Sequence, residues 1–302
     1  MSSGYWAILA PGGFVEETER ELAHKNLKAI KKSGDFFLFG GEPQEIAWSS
    51  VRWLDVKAIP VASINDAARK LKPLAKKWLH FERAHRGRGN LILGELRAQK
   101  FEPVKFPRKL MLPEGCGAFT FLDDDKTVYY CRDFDRPHPL GLVTFLEDKG
   151  NPPSRAYLKL WEAFCVFGGW PGPGEATMDL GSCPGGWTWV LATLGAQVLS
   201  VDRAPLEPGI EAMSGVTFKK GDAFQVLPEN SAPVEWLCSD VICAPEKLLE
   251  LVKVWVESGQ AAHFACTLKF QGEADPQVVE EFRKYGRVLH LHHNKHELTF
   301  LK

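Results

Sequence analysis

The stretch Ala176-Thr177-Met178-Asp179-Leu180-Gly181-Ser182-Cys183-Pro184-Gly185-Gly186-Trp187-Thr188-Trp189 constrains the fold more than any other. It reads as a short buried strand, a glycine-rich turn and the start of a helix. Gly181 lets the chain turn sharply where the strand ends. Gly185 and Gly186 carry no Cβ, so a ligand can approach the backbone where helix N–H groups point outward. A second strand, Gln197 to Val201, ends in Asp202 about twenty residues on, a spacing that suits a carboxylate meeting a ribose diol. The turn is not G-x-G-x-x-G, which argues against a dinucleotide pyrophosphate as its guest. Cys183 reads as a small turn residue ahead of a nucleophile.

Beyond Asp202 the chain alternates strand and helix: strands at Val216–Lys219 and Val234–Cys238, a helix over Glu246–Glu257, a strand His263–Leu268, a helix Pro276–Tyr285, then strands Arg287–His292 and Glu297–Leu301. A helix from Ser154 to Phe167, with Ser154 as N-cap, precedes the organising strand. This rhythm predicts an α/β domain with a mostly parallel sheet and helices on both faces. The last two strands, lacking a helix between them, should form an antiparallel edge hairpin. Ligands of open α/β sheets sit at the carboxyl ends of the strands. Those ends offer Asp179, the Gly181–Gly186 turn, Asp202, Asp222, Asp240 and Lys269, joined by Lys159 from the preceding helix and Glu297 from the last strand. Asp202 would take a ribose diol and Asp222 an adenine amino group, which together describe an adenosine-containing ligand. Lys269 ends an apolar strand. A lone lysine there would snorkel to solvent, but with a second lysine nearby and partial burial its amine could serve as a base.

At 302 residues the chain has room for two or three domains. Residues 5–60 read as a small α+β unit: strand Tyr5–Ala10, helix Val15–Asn26, strand Phe36–Phe39, a helix over 43–54 and a strand Val56–Val61. A basic helix over 62–80, a strand Gly89–Arg97, a second basic amphipathic segment Lys100–Leu110 and a hairpin (Phe119–Leu122, Thr127–Arg132) come next. Between Arg69 and Lys109 stand 13 Lys/Arg against only Glu82, Glu95 and Glu102, in a chain whose net charge is −1. With Trp78, His80, Phe81, His85 and Phe101 interleaved, this block favours contact with a polyanion. Proline and glycine clusters at Arg136–Gly141 and Asp148–Pro153 mark a linker. The 45% hydrophobic and 25% charged content is ordinary for a globular protein. No apolar run is long enough to span a bilayer, no basic-then-apolar leader opens the chain, and Ser2 stands where myristoylation needs glycine. The seven scattered cysteines form no C-x-x-C pair, so reduced thiols in the cytoplasm are expected, with neither a disulfide frame nor a metal site.

Residues 152–302 resemble the FtsJ-type family of S-adenosylmethionine-dependent RNA ribose 2′-O-methyltransferases. The matching pieces are Ser154-Arg155-Ala156-Tyr157-Leu158-Lys159-Leu160, Asp179 through Trp187, Ser239-Asp240, Leu268-Lys269-Phe270-Gln271-Gly272 and His296-Glu297-Leu298. The resemblance implies a Rossmann-like class I methyltransferase domain and a Lys–Asp–Lys–Glu tetrad at Lys159, Asp240, Lys269 and Glu297. It also implies S-adenosyl-L-methionine held by Gly181, Cys183, Pro184, Gly185, Gly186, Trp187, Asp202, Asp222 and Asp240. The whole chain is more similar to the bacterial members that methylate a cytidine of 23S ribosomal RNA. That likeness implies a ferredoxin-like segment over 1–60, a THUMP-like basic RNA-binding domain with linker over 61–150, and the methyltransferase domain over 151–302. Three alternatives stay open: the same chemistry on tRNA or mRNA, a non-catalytic RNA-binding protein that keeps the fold, and a nicotinamide-dependent oxidoreductase, against which the turn sequence speaks.

Overall fold

A computed structural model describes residues 4–302; Ser2, on which the expectation about a lipid anchor rests, lies outside the described residues. The chain forms two compact units. One comprises residues up to Pro103 together with Leu110–Thr144, the other Val104–Lys109 together with Phe145–Lys302.

The first unit is built on β1 (Tyr5–Leu9), α1 (Val15–His24), β2 (Lys31–Ser33), β3 (Phe36–Gly40), β4 (Val51–Pro60), α2 (Ile64–Leu71), β5 (Lys77–His80), α3 (Arg86–Glu95), β6 (Cys116–Thr120) and β7 (Thr127–Cys131). Its strands make one sheet in the order β2-β3-β1-β4-β7-β6-β5, antiparallel except for β5 beside β6. β4 is long enough to serve both halves. Its first residues pair with β1 and Lys57–Pro60 pair with β7, so the sheet runs on through residue 60.

Four expectations fail in this unit. No helix covers 43–54. Buried Glu21 accepts the amides of Ala47 and Trp48, both at 2.9 Å, and pins that segment as a loop; from Val51 the chain pairs with Leu9 as strand. The helix over 62–80 stops at Leu71: Lys72 still has helical geometry, but Pro73 has no N–H to carry the hydrogen-bond ladder further, and Lys77–His80 is strand. The strand expected at Gly89–Arg97 is helix α3. There Gly89 packs on the His80 ring so closely that a Cβ would lie 2.1 Å from it, and Asn90 meets His80 Nδ1 at 2.9 Å. The segment Lys100–Leu110 has no regular structure. Val104 bridges to Phe145, and the Phe106 ring stacks on Trp161 at 4.8 Å, which binds 104–109 into the second unit.

The second unit contains α4 (Tyr157–Phe167), β8 (Ala176–Leu180), α5 (Gly186–Thr193), β9 (Gln197–Asp202), α6 (Pro208–Glu211), β10 (Val216–Lys220), β11 (Val234–Ser239), α7 (Pro245–Ser258), β12 (Ala261–Lys269), α8 (Pro276–Arg283), β13 (Arg287–Leu289) and β14 (Glu297–Leu301). The sheet order is β10-β9-β8-β11-β12-β14-β13, with β14 antiparallel to both neighbours and the rest parallel. This is the class I methyltransferase arrangement of an α/β sheet with one reversed strand, as the sequence predicts. Ser154 is not the cap of α4: the helix begins at Tyr157, and the Ser154 hydroxyl accepts from Ala156 N at 3.4 Å in the turn before it. β13 ends at Leu289, leaving His290–His296 as a loop.

The contact of Gly89 with His80 yields a sign reversal. Gly89→Ala should destabilise the first unit by about 1–3 kcal/mol through overpacking. In a His80→Ala background the same change should become neutral or stabilising by up to about 1 kcal/mol, the helix preference of alanine over glycine. Urea unfolding of the four proteins measures this; equal losses in both backgrounds would refute the steric account.

Candidate active site

Strand order reverses between β8 and β11: from β8 the chain moves outward through β9 and β10, then returns to pair β11 on the other side of β8. Such a switch point leaves a crevice at the carboxyl ends of the strands. Gly185 stands at φ 112° and caps α5, and a Cβ there would meet Ile210 at 2.8 Å. Only glycine takes this turn without strain. Trp187 Nε1 donates to the Ala156 carbonyl at 2.9 Å, fixing the turn against the start of α4.

A cavity of about 660 Å³ opens there. Gly181, Cys183, Pro184, Gly186, Trp187, Asp202, Asp222 and Asp240 all line it; Gly185, the remaining expected residue, shapes the turn without lining the cavity. Asp202 is already oriented, since its two carboxylate oxygens accept from Cys183 N and Ala204 N at 3.0 Å each. Asp222 caps the following turn by accepting from Phe224 N at 3.0 Å, and Arg203 pairs with it. These bonds hold the Asp222 carboxyl below its ordinary range. Burial and the carboxylates of Asp202 and Glu207 push the Cys183 thiol up, away from a reactive thiolate.

Four charged side chains meet beside this cavity, and they are the expected tetrad. Lys159 Nζ, from α4, lies 2.8 Å from both oxygens of Asp240 and 3.1 Å from Glu297 Oε1. Lys269 Nζ, from the end of β12, is 3.0 Å from Asp240 Oδ1 and donates to the Asp240 carbonyl. Burial opposes ionisation of Asp240, but the ammonium groups of Lys159 and Lys269, with hydrogen bonds from Lys159 and Thr267, outweigh it and hold the carboxyl below its usual range. β14 runs antiparallel to β12 and pairs Glu297 directly with Lys269. A second cavity, about 740 Å³, shares Ser154, Ala156, Ile242 and Lys269 with the first and adds Lys159 and Glu297 to its wall. The tetrad therefore stands where two cavities meet.

From sequence, Asp179 is among the candidate site residues at the strand ends but has no ligand assigned to it. This residue is 1% exposed at the floor of the first cavity. Oδ2 accepts from the Thr188 hydroxyl at 2.6 Å, while Oδ1 is buried with no hydrogen-bond partner. Burial first, then the nearby Asp240 and Asp202 charges, push its carboxyl up to about 7. An acid in the otherwise apolar run Ala176–Leu180 was the available signal, because a buried carboxyl group needs a partner. Thr267, Glu162 and His293 were also missed; each looks ordinary until tertiary contacts are known.

The profile of the FtsJ-like methyltransferase family matches residues 152–295. Ribosomal RNA large subunit methyltransferase M of Halorhodospira halophila is 36% identical over 159 residues, covering 49% of this chain and 46% of that protein. The protein of the same name from Laribacter hongkongensis is 34% identical over 182 residues, covering 54% and 51%. The chain thus spans about half the length of these curated relatives. The Xanthomonas campestris relative aligns further, at 30% identity over 255 residues, covering 78% of this chain and 69% of that protein. That alignment is too long to fit within the second unit and extends into the first. By this match the chain belongs to the ribosomal RNA large subunit methyltransferase M family.

Proposed function

We propose that the chain transfers a methyl group from S-adenosyl-L-methionine to a ribose 2′-hydroxyl of RNA, a cytidine of 23S ribosomal RNA in the family's manner. The observation that carries this reading is the tetrad at the junction of two cavities: one suits the cofactor and the other leaves room for a nucleotide. The first cavity fits the cofactor on its own chemistry. Asp202 offers carboxylate oxygens to a ribose diol, Asp222 an acceptor to an adenine amino group, and the orphaned Oδ1 of Asp179 an acceptor to an α-ammonium.

When bound, the cofactor supplies an activated methyl group and requires only an aligned nucleophile. In its neutral form Lys269 receives the proton of the ribose hydroxyl, and as an ammonium it can only orient that oxygen. Asp240 fixes Lys269 from two atoms, its carboxylate and its backbone carbonyl. Lys159 and Glu297 border the second cavity, where they orient the ribose. Four coupled charges share this work, so their protons belong to the set.

We read the first unit as the RNA-docking part, ferredoxin-like through residue 60 and THUMP-like beyond. Much of its basic block is internally neutralised: Arg69 and Lys70 pair with Asp66, Lys76 with Glu114, Arg83 with Asp35 and Arg86 with Glu82. Lys72, Arg97 and Lys100 are exposed and make no ion pair among the described residues; on the second unit the same holds for Lys105, Arg108 and Lys109. Phosphate contacts belong first to these six. No helix among the described residues is long and apolar enough to cross a membrane, and the free thiols accord with work in the cytoplasm, where RNA is made.

Transfer of labelled methyl from S-adenosyl-L-methionine to unmodified total RNA, followed by mapping, tests the reading. Wild type should label large-subunit RNA at a 2′-oxygen, and Lys269→Ala should be slower by about 10²–10⁴-fold. Label on tRNA or mRNA would replace the substrate, and no label with intact cofactor binding would sink the activity.

Asp179 gives a pH signature. Its carboxyl is raised in the folded chain, so between about pH 4 and 7 the fold keeps a proton that the unfolded chain has released. Stability contributed by that proton therefore declines as pH rises through this window and is flat above it. Asp179→Asn should abolish the decline and make the cofactor-free protein more stable than wild type at pH 8, by roughly 1–3 kcal/mol. Cofactor affinity of the wild type should rise from pH 5 to 7, while the variant binds about tenfold more weakly at pH 7 and shows no such rise. Thermal melts and calorimetric titrations decide it.

Replacing Lys72, Arg97 and Lys100 together with alanine should lower the slope of log affinity for RNA against log salt by about 2–3, leaving cofactor binding unchanged. Replacing the paired Arg69, Lys70 and Lys76 should lower it by less. Equal effects would refute the division between paired and unpaired cations.

A further inference from the structure

One histidine in the second cavity is held by a device that methyl transfer itself does not need. Glu162 lies one turn along α4 from Lys159 and is 2% exposed. It accepts from the backbone amides of His292 at 2.7 Å and His293 at 2.9 Å, and from the His293 ring at Nδ1, again at 2.7 Å. A carboxylate only accepts, so the proton of this bond sits on Nδ1, and in the neutral ring Nε2 carries the lone pair. Nε2 makes no hydrogen bond among the described residues and is not sealed off by them. His293 lines the cavity that also has Lys159, Lys269, Glu297, Phe270 and Gln271 in its wall. One helix thus fixes both the tetrad, through Lys159, and the histidine, through Glu162.

We propose that His293 is a specificity-determining residue for the acceptor nucleotide, its Nε2 accepting a hydrogen bond from the 4-amino group of cytosine or the 6-amino group of adenine. The inference rests on the second cavity being the acceptor site. With the ribose held at the tetrad, the base lies along the remaining wall, and the fixed lone pair there sorts bases by hydrogen-bond polarity. Cytosine presents an amino group where uracil presents a carbonyl oxygen, and adenine presents one where guanine presents oxygen. A lone pair facing oxygen leaves both unpaired, the arrangement that sites built around a hydrogen bond reject most strongly. Glu162 is the positioning residue: it touches no substrate and acts by fixing the ring's proton and angle.

The test uses unmodified 23S RNA transcripts whose mapped acceptor carries cytosine, adenine or uracil, with wild type, His293→Ala and Glu162→Gln. Wild type should prefer the amino-bearing bases over uracil by about tenfold or more in kcat/KM. In His293→Ala that ratio should fall toward one, and in Glu162→Gln it should fall part of the way, with cofactor affinity of His293→Ala unchanged. A mapped acceptor that is uridine or guanosine, or a base preference that survives His293→Ala, would overturn the proposal. So would loss of RNA affinity in His293→Ala with no base preference in wild type, which would make the ring a phosphate contact. Absence of any methyl transfer by wild type would remove the proposed activity. Binding of the same transcripts to protein loaded with S-adenosylhomocysteine separates the two failures: a base-dependent affinity lost in His293→Ala keeps the recognition, and its absence ends it.

Discussion

Asp240 sits between two lysines, and the second unit's chemistry depends on that arrangement. A single buried carboxylate is costly, as is a single buried ammonium. Here Lys159, Asp240, Lys269 and Glu297 have side chains between 10% and 20% exposed and carry two charges of each sign. Removing any one leaves an uncompensated charge, so the four stand or fall as a set. Such a cluster is weak evidence for stability, because apolar residues of similar volume would often do as well. It is better evidence that the position is reserved for a reaction needing charges held in fixed relation.

The topology explains how four separate segments deliver these side chains to one point. In a parallel sheet the carboxyl ends of the strands share one edge, which accounts for Asp240 after β11 and Lys269 at the end of β12. Glu297 opens its strand, and it would lie at the far edge if β14 were parallel. Reversal of β14 brings its first residue opposite the last residue of β12, the cross-strand pairing seen between Glu297 and Lys269. A one-residue slip would turn Glu297 to the other face. Leu298 and Phe300, both fully buried, face one side of the strand, and Glu297 and Thr299 alternate with them on the other. The antiparallel hairpin that ends the chain is therefore a requirement of the site.

The second unit was legible because its strands are short apolar runs punctuated by glycine, proline and acids, and because the acids at their ends fall at one edge by construction. The first unit was not. Helix α3 begins Arg86-Gly87-Arg88-Gly89, without a side-chain cap or an amphipathic stripe, and its position is dictated by the fit of Gly89 on His80. The crossing of 104–109 into the second unit depends on a ring stack with Trp161 and a bridge to Phe145, contacts that leave no periodic trace. Charge counting misled for a related reason. Lys76 finds Glu114 and Arg83 finds Asp35, acids 38 and 48 residues away, so a block that looks strongly basic in sequence is partly neutral in space.

Asp179 and Asp240 bring out the physical logic of the first cavity. They belong to neighbouring strands, β8 and the end of β11, and desolvation is the largest influence on both. Their carboxyls nevertheless shift in opposite directions, because Asp240 has two cations and a hydroxyl to offset its burial, whereas Asp179 has only Thr188 and two like charges nearby. Moving either lysine to Asp179 would erase the difference. Two carboxyl groups pushed apart by their surroundings can serve different ends in one site. On the proposed reading, Asp240 organises the lysines of the reaction and Asp179, whose Oδ1 has no hydrogen-bond partner, offers an acceptor to a cationic group.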